Sequence, residues 1–273
     1  MHFNKKKISN SKLKISARGS KNRKSRATKT DIKPVVKSKI NKNRLEIRKT
    51  IIKVKNENKN NYKVLSKWEG MLSGYTAFIL GNSPGIEKQD LSLLNSYFTI
   101  GVNRIFYIYD PTILIWQDRQ LWNRDKKIVL KQKAIKICGD KADPRNYFLN
   151  FRVKPGPFRF GTDPSKLHGN GNTTAIAVQF AVSLGCSNIV LLGTDCRYGA
   201  RGKTDFYGKN KDHKSYTLKM CNNAMTWLKK NCPVPIYNCS GNKLWPIQKI
   251  SEVIKEIKPF RFNREQYRRM FVK

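Results

Sequence analysis

The segment at residues 169–198 constrains the fold more than any other part of the chain. It begins with glycine and asparagine and continues with an apolar stretch that reaches Gly185. Thr173 and Thr174 stand where a helix N-cap and first turn are expected, and a glycine at position 185 is typical of a helix end. The apolar run at residues 189–192 is short, as in a parallel strand covered on both faces. The segment predicts a loop, a buried helix and a buried strand of an α/β protein.

The same segment has polar groups where an anionic ligand would bind. The unpaired N–H groups of a helix N-terminus attract anions, and here they follow Gly169, Asn170, Gly171 and Asn172. Asp195 follows the predicted strand at its carboxyl end, where open α/β sheets hold their ligands. We interpret the segment as a phosphate or nucleotide cradle facing an acidic residue. A loop, helix and strand that bind no ligand are the alternative.

Three further apolar runs predict strands at residues 75–80, 97–102 and 112–116. Polar residues follow each of them, and parallel strands would bring these residues to one edge of the sheet. We therefore predict a three-layer, Rossmann-like α/β domain at residues 64–257 with a mostly parallel sheet. The residues predicted to line one pocket are Asn82, Asn103, Asp118, Thr173, Thr174 and Asp195.

The first strand runs into the turn GNSPG, which is neither a GxGxxG dinucleotide fingerprint nor a Walker loop. A helix is predicted after it at residues 86–94. Residues 143–168 are rich in proline, glycine and aromatic residues and predict a lid or substrate loop. Residues 197–215 predict a mobile basic loop over a charged substrate. The other predicted elements are strands at 135–138 and 234–238 and helices at 218–230 and 246–257.

The charge of the chain is extreme, with 56 lysines and arginines against 18 aspartates and glutamates and a formal net charge of +38. Residues 1–60 alone hold 21 basic and 3 acidic residues, so we expect a disordered basic arm. The arm either binds a polyanion, nucleic acid or an anionic membrane surface, or it only solubilises the protein. Residues 258–273 form a second basic tail.

The cysteines and the hydropathy pattern bear on the compartment. Six cysteines are scattered without a CxxC pair, which favours free thiols in a reducing compartment over a disulfide framework or a zinc site. No apolar segment reaches the roughly 20 residues that span a bilayer. The basic N-terminus lacks the apolar core of a signal peptide. We predict a cytoplasmic protein, either free or peripheral on an anionic membrane.

Five short motifs follow one another between residues 75 and 257. They are ILGNSPG at 79–85, IGVN at 100–103, WQD at 116–118, the segment from NTT at 172–174 to LLGTD at 191–195, and IYNCS at 236–240. In this order they resemble the MptE-like pterin diphosphokinase superfamily and, more distantly, the bacterial lipooligosaccharide sialyltransferases. The resemblance implies a Rossmann-like fold and transfer of a group from an activated nucleotide.

The sialyltransferase resemblance implies that the strand-end asparagines and the start of the helix bind the nucleotide. It also implies that His213, in the basic loop at residues 197–215 (the late loop), is the base. Gly85, the two threonines at the helix start and Asp118 depart from the sialyltransferase pattern. An aspartate at position 118 resembles the diphosphokinase branch, in which carboxylates bind Mg²⁺ and a nucleoside triphosphate. The complete set predicted to bind the nucleotide is Gly81, Asn82, Ser83, Asn103, Asp118, Asn172, Thr173 and Thr174.

Two chemistries fit these residues, with His213 and Asp195 as the predicted catalytic pair. Sugar transfer needs a base for the acceptor hydroxyl, and a histidine serves near neutral pH. Pyrophosphoryl transfer would instead use Asp118 and Asp195 toward Mg²⁺, and no other cofactor is predicted. The cations of the late loop have two interpretations: they neutralise the phosphate of a substrate, or they only keep the loop solvated. They are Arg201, Lys203, Lys209 and Lys211.

We therefore predict a nucleotide-dependent transferase, a sialyltransferase-like glycosyltransferase with a nucleotide-sugar donor. An MptE-like, Mg²⁺-dependent diphosphokinase is the alternative. A nucleic-acid-binding protein on a degenerate Rossmann-like scaffold is the second alternative, because fold alone does not fix function.

Overall fold

The computed structural model describes residues 61–143, 147–169, 171–211, 213 and 216–271. The predicted basic arm at residues 1–60, and Asn170 of the glycine-rich loop, lie outside these residues. The strands in the described chain are β1 (Thr76–Leu80), β2 (Phe98–Val102), β3 (Ile113–Trp116), β4 (Ile135–Gly139), β5 (Leu149–Lys154), β6 (Lys166–His168), β7 (Asn188–Leu192) and β8 (Ile236–Asn238). The α-helices are α1 (Arg119–Lys131), α2 (Thr173–Ser183), α3 (Thr217–Asn231), α4 (Ile250–Ile257) and α5 (Arg264–Phe271).

The eight strands of the described chain form one open sheet in the order β6-β5-β4-β3-β2-β1-β7-β8. Every neighbouring pair runs parallel, and β1 is the central partner of both β2 and β7. All five residues of β1 are buried, as expected for a parallel strand covered on both faces. The predicted α/β class with a mostly parallel sheet is confirmed.

Alternating side chains of the strands build a hydrophobic core on each face of the sheet. From β1, Ala77 and Ile79 enter the core that contains the apolar residues of α2 and α3. Phe78 and Leu80 enter the other core, with those of α1 and α4. The helices on both faces complete the three predicted layers.

The helix predicted at residues 86–94 is wrong. The chain forms two short 3₁₀ helices there, Pro84–Lys88 and Leu91–Leu94. Asp90 separates them, because its side chain accepts a hydrogen bond from Ser92 N at 3.1 Å and starts a new turn. A polar residue that bonds its own backbone thus interrupts an otherwise helical pattern.

The lid predicted at residues 143–168 is also wrong, because this segment supplies β5 and β6 and extends the sheet. Phe151 of β5 is fully buried in the core. Arg152 N donates to Ser165 O at 2.8 Å and pairs the segment with itself. Arg152 and Lys154 interrupt the apolar pattern, which is why the sequence did not indicate a strand.

The expectation that the cysteines stay unpaired is corrected at one pair. Cys196, in the loop after β7, forms a disulfide with Cys221 of α3, and their Cα atoms are 5.6 Å apart. The 25 residues between them conceal the pairing in the sequence. Burial raises the pKa of the free thiol of Cys239 to about 12.

The chain after α4 packs against the domain. Phe262 is 3% exposed in the core, and the guanidinium of Arg264 donates to Asp110 O at 2.8 Å and to Leu94 O at 3.2 Å. In the described part of the chain, no helix combines the length and hydropathy needed to cross a bilayer.

Candidate active site

The carboxyl edge of the sheet gathers most of the predicted site residues. The direction of strand addition reverses at β1, because β2 lies on one side of it and β7 on the other. Ligands of open α/β sheets bind in the crevice at such a reversal. Asn82, Asn103, Asp118 and Asp195 follow β1, β2, β3 and β7, so the parallel strands bring all four to this edge.

Asp195 closes the crevice between β1 and β7 with internal hydrogen bonds. Its side chain is almost fully buried; one carboxylate oxygen accepts from Gly85 N at 3.0 Å and the other from Gly241 N at 2.7 Å. Its own N–H donates to the hydroxyl of Ser83 at 3.0 Å. The carboxylate therefore ties together the loops that follow β1, β7 and β8.

Two glycines make this closure sterically feasible. A Cβ on Gly81 would lie 2.2 Å from Gly193 O, and a Cβ on Gly85 would lie 2.6 Å from a carboxylate oxygen of Asp195. Both positions therefore require glycine in this arrangement. Gly81, predicted to bind the nucleotide, permits the two loops to approach each other.

Asn82 shapes the neighbouring turn. Its amide nitrogen donates to Val102 O at 2.9 Å, and its amide oxygen accepts from Arg104 N at 3.1 Å. Its backbone carbonyl accepts from Phe206 N of the late loop at 2.8 Å. Asn82 thus holds the end of β2 and the late loop in place.

Asn103 lies between the two groups that Asn82 binds. Its backbone has a left-handed φ of 50°, which asparagine tolerates better than most residues. The side-chain oxygen of Asn103 is buried and has no hydrogen-bond partner among the described residues. A buried acceptor without a partner is costly, so this oxygen is suited to a ligand N–H or O–H donor.

The helix start predicted at Thr173 and Thr174 is one residue too late. Asn172 is the N-cap of α2, and its side-chain oxygen accepts from Ala175 N at 2.8 Å. The hydroxyl of Thr173 accepts from the side chain of Gln117, which follows β3, at 3.1 Å. The N-terminus of α2 therefore meets the end of β3 at the same edge as the asparagines.

Asp118 is exposed at the start of α1. In the sheet, β2 and β1 separate its strand from β7, which precedes Asp195. No group of three or more His, Cys, Asp or Glu side chains that could hold a metal occurs in the described residues. A magnesium site formed by Asp118 and Asp195 stays a prediction.

A basic cavity of about 510 Å³ opens beside the asparagines, between the turn after β2, α1 and the late loop. In one wall, Arg104 Nε lies 2.7 Å from an oxygen of Asp125, whose other oxygen accepts from the hydroxyl of Tyr107 at 2.9 Å. The guanidinium of Arg104 also lies over the ring of Tyr207, 5.4 Å from its centroid. The lining residues are Arg104, Tyr107, Arg124, Asp125, Tyr207, Lys209, Asn210 and Lys211.

The surroundings of this wall keep Arg104 protonated and Tyr207 un-ionised at neutral pH. Burial alone would lower the pKa of Arg104, but its hydrogen bonds to Tyr207 and Asp125 raise that pKa. Burial raises the pKa of Tyr207 to about 12, and the negative charge of Asp205 adds to the effect. The wall therefore presents a permanent cation and a neutral phenol.

His213 adjoins a residue of the cavity lining, because its backbone N–H donates to Asn210 O at 3.1 Å. Its Nε2 is 3.6 Å from a carboxylate oxygen of Asp205, and its Nδ1 is buried with no hydrogen-bond partner among the described residues. Burial raises the pKa of Asp205, while His213 and hydrogen bonds from Thr204, Asn210 and Tyr207 oppose the rise. The imidazole thus has a carboxylate on one side and an unused nitrogen on the other.

The sequence did not single out Arg104, Asp125, Asp205 or Arg124. Arg104 had a usable signal, because it directly follows a strand-end asparagine. Asp125 had none, since it meets Arg104 only once α1 has packed against the turn after β2. The predicted late loop does supply part of the cavity wall, through Tyr207, Lys209 and Lys211.

The fold and the site together define a parallel α/β protein with a basic cavity at the carboxyl edge of its sheet. The chain matches no protein-family model and no curated protein. Among solved structures it is similar to the sialyltransferase CstII from Campylobacter jejuni in complex with the substrate analogue cytidine-5'-monophosphate, with 14% identity over 63% of this chain and 82% of that one and a TM-score of 0.39.

A second structure of CstII, in complex with CMP-3FNeuAc, is 13% identical over 60% of this chain and 79% of that one, with a TM-score of 0.35. Both TM-scores and both identities are too low to carry a functional conclusion. The resemblance to the MptE-like superfamily stays a prediction.

Proposed function

We propose that the protein is a glycosyltransferase that moves a sugar from a nucleotide-sugar donor to an acceptor hydroxyl. The observation that carries this proposal is His213, an imidazole near the carboxylate of Asp205, whose Nδ1 has no hydrogen-bond partner among the described residues and whose loop also lines a basic cavity. A base that accepts the acceptor's proton and a basic surface for a phosphorylated donor are the two requirements of this reaction.

The donor nucleotide is assigned to the ends of β1 and β2. There the side-chain oxygen of Asn103, which has no partner among the described residues, would accept a hydrogen bond from an amino group of the base or a hydroxyl of the ribose. The first backbone N–H groups of α2, at Thr173 and Thr174, face the same edge and favour negative charge. Arg104 adds a cation to the adjacent turn.

In the proposed transfer step His213 is the base. The acceptor oxygen attacks the anomeric carbon while the bond from that carbon to the phosphate oxygen breaks, and its electron pair leaves with the nucleotide. The acceptor's proton passes to Nδ1 of His213. The resulting imidazolium is stabilised by Asp205, whose carboxylate lies 3.6 Å from Nε2. Asp205 acts through the histidine and is a positioning residue.

A thermal-shift screen with nucleotides and nucleotide sugars, with and without Mg²⁺, would identify the donor. A compound that binds only the native state raises the melting temperature. If no member of the panel raises it, the proposed function is wrong.

His213→Ala then tests the base, with the donor identified by the screen. We expect turnover to fall by roughly 10²–10⁴-fold, the usual contribution of a general base. The affinity for the donor should stay unchanged, because the base contacts the acceptor. His2→Ala, which changes a histidine of the predicted basic arm, is the control. Unchanged turnover in His213→Ala would exclude His213 as the base.

A further inference from the structure

The outward face of α1 combines several cations with no exposed carboxylate. Outside the cavity lining, its exposed basic side chains are Arg119, Lys126, Lys127 and Lys131. Asp125 is the one carboxylate of this helix, and it is buried and held by Arg104 and the hydroxyl of Tyr107 at 2.7 and 2.9 Å. From Arg119 to Lys131 the helix rises about 18 Å, which is longer than a compact anion. These cations therefore suit an extended anionic surface.

Apolar side chains are exposed among these cations. Leu130 is 53% exposed, and Lys126 and Lys127 lie one turn before it on the same side of the helix. Tyr147 is 51% exposed and lies beside the helix, because the ammonium nitrogen of Lys126 is 5.5 Å from the centroid of its ring. Lys131 is one turn after Lys127 and continues the row of cations. We name these five residues the α1 patch.

The carboxylates near the two ends of α1 lie outside the patch. Asp118 precedes the first turn, about 12 Å along the helix from Lys126. Asp110 lies near the other end, where its two side-chain oxygens accept from Lys133 N and Ala134 N at 3.2 and 3.1 Å. The α1 patch itself therefore contains cations and apolar groups but no acidic side chain.

Another exposed apolar site of the chain differs from the α1 patch in its charges. Ile247 is 61% exposed before α4, and a lysine is close to it in sequence. That lysine, Lys249, lies 3.6 Å from a carboxylate oxygen of Glu252. The side chain of Gln248 donates to Glu256 at 3.0 Å. Exposed carboxylates repel an anionic surface, so the two apolar sites are comparable in exposure but not in charge.

An anionic phospholipid membrane matches both components of the α1 patch. Lysines near a membrane are attracted to its negative surface potential. An exposed leucine gains free energy only where it leaves water for an apolar environment, and tyrosine is enriched where such an environment meets water. A nucleic-acid backbone would also attract the lysines, but it offers phosphates and sugars rather than an apolar phase to Leu130. The exposed leucine therefore favours the membrane.

We propose that the α1 patch docks the protein on an anionic phospholipid membrane. Leu130 and the ring of Tyr147 enter the boundary between headgroups and acyl chains, and the lysines contact lipid phosphates. This contact depends neither on the proposed transferase function nor on the predicted basic arm.

The apolar contact is tested with Leu130→Ser in the full chain. Vesicles of phosphatidylcholine and phosphatidylserine in equal parts are sedimented with the protein at physiological salt. We expect Leu130→Ser to weaken binding about three- to tenfold, because less apolar area leaves water. Ile247→Ser, at the other exposed apolar site, is the matched control and should bind like the wild type. The predicted arm is the same in all these proteins, so it does not contribute to the differences. Wild-type affinity in Leu130→Ser would overturn the proposal.

The charged contact is tested with Lys127→Gln/Lys131→Gln. We expect about tenfold weaker binding to the mixed vesicles, and a smaller loss as added salt screens the lysines. Lys219→Gln/Lys230→Gln removes the same charge from exposed positions on α3 and is the matched control. Equal losses in the two double variants would show a general charge effect and overturn the proposal. Equally tight binding of the wild type to vesicles of phosphatidylcholine alone would exclude an anionic membrane as the partner.

Single-stranded RNA distinguishes a membrane from a nucleic acid as the partner. If Lys127→Gln/Lys131→Gln loses affinity for RNA while Leu130→Ser changes neither RNA nor vesicle binding, the face binds nucleic acid and the inference is wrong. The nucleotide thermal-shift screen tests the transferase function separately, because none of these variants changes the proposed base or a residue assigned to the donor.

Discussion

Two neighbouring regions of the carboxyl edge differ in how their polar groups are used. At the carboxyl ends of β1 and β7, both side-chain oxygens of Asp195 accept hydrogen bonds, from the backbone N–H groups of Gly85 and Gly241. Over β2 and the late loop, by contrast, the side-chain oxygen of Asn103 and Nδ1 of His213 have no partner among the described residues. The two regions occupy the same edge, yet one is internally satisfied and the other retains capacity for a ligand.

This difference shows that strand topology alone does not locate a binding site. The reversal of strand order at β1 favours a ligand at the first region, but close contacts of Gly81 and Gly85 let the loops close over it. The unpartnered atoms and the basic cavity lie one strand away. The fold thus supplies the edge, and the side chains decide which part of it is available.

Of the substitutions that compare the two regions, Asp195→Ala is expected to lower the free energy of unfolding most. The substitution leaves the N–H groups of Gly85 and Gly241 without their acceptor, and each unsatisfied buried donor costs about 1–3 kcal/mol. We expect a loss of about 2–4 kcal/mol in the free energy of unfolding, measured by urea denaturation. Asp195→Asn, which retains one acceptor oxygen, should fall between Ala and the wild type.

The opposite pattern for Asp195 would make the comparison invalid. If both variants unfold like the wild type but lose transferase turnover, the carboxylate takes part in catalysis. The region at the carboxyl ends of β1 and β7 then belongs to the active site.

A smaller effect is expected from Asp125→Ala in the cavity wall. The substitution removes the carboxylate that holds Arg104 and Tyr107, but the cavity lets water replace it. We expect a loss of about 1–2 kcal/mol in unfolding free energy, at or below the low end of the range of about 1.5–3 kcal/mol for hydrogen bonds to charged groups, because water replaces the carboxylate. Tyr107→Phe removes one of the two hydrogen bonds to Asp125. A double-mutant cycle of Tyr107→Phe with Asp125→Ala measures how much that hydrogen bond contributes to the unfolding free energy.

A loss for Asp125→Ala as large as that for Asp195→Ala would contradict the distinction between a closed and an open region.

The smallest effect is expected from Asp163→Asn, a reference outside both regions. Burial would raise the pKa of Asp163, but hydrogen bonds from Lys166, Ser165 and Ser66 outweigh it and lower the pKa from 3.8 to about 2. A lowered pKa means that the ionised form stabilises the fold above pH 3.8 and that this contribution disappears as the pH falls through about 2.

The measurement for Asp163 is the melting temperature between pH 6 and pH 2. The difference between wild type and Asp163→Asn should be greatest at the upper end of this interval and shrink toward the lower end. A difference that grows on acidification would have the wrong sign and refute the assignment.

The sequence predicts those parts of the fold that local patterns encode. Strands β1, β2, β3, β4 and β7 are apolar runs followed by turns, and the predictions agree with the structure to within one or two residues. β5 and β6 were missed because charged residues interrupt them near the edge of the sheet. The helix after β1 was mispredicted because the side chain of Asp90 bonds the backbone, which a periodicity does not show.

The candidate site is predictable only where a residue adjoins a strand. Asn82, Asn103 and Asp195 are identifiable because they follow apolar runs, but the sequence does not show which of them is internally bonded. Asn82 and Asp195 bond to backbone groups of other loops, and Arg104 pairs with Asp125 on α1. Such partners are set by tertiary packing, and no local pattern encodes them.

The disulfide between Cys196 and Cys221 gives the late loop an unusual covalent topology. Asp205, Tyr207 and His213 lie between the two cysteines, on a closed ring of chain rather than on a strand-to-helix connection. A single proteolytic cut in this ring would leave both fragments attached, and they would separate only after reduction. Reduction would also restore to the unfolded chain the conformational entropy that the 25-residue closure removes, so the redox state of two sulfur atoms bears on the stability of the fold that holds the imidazole.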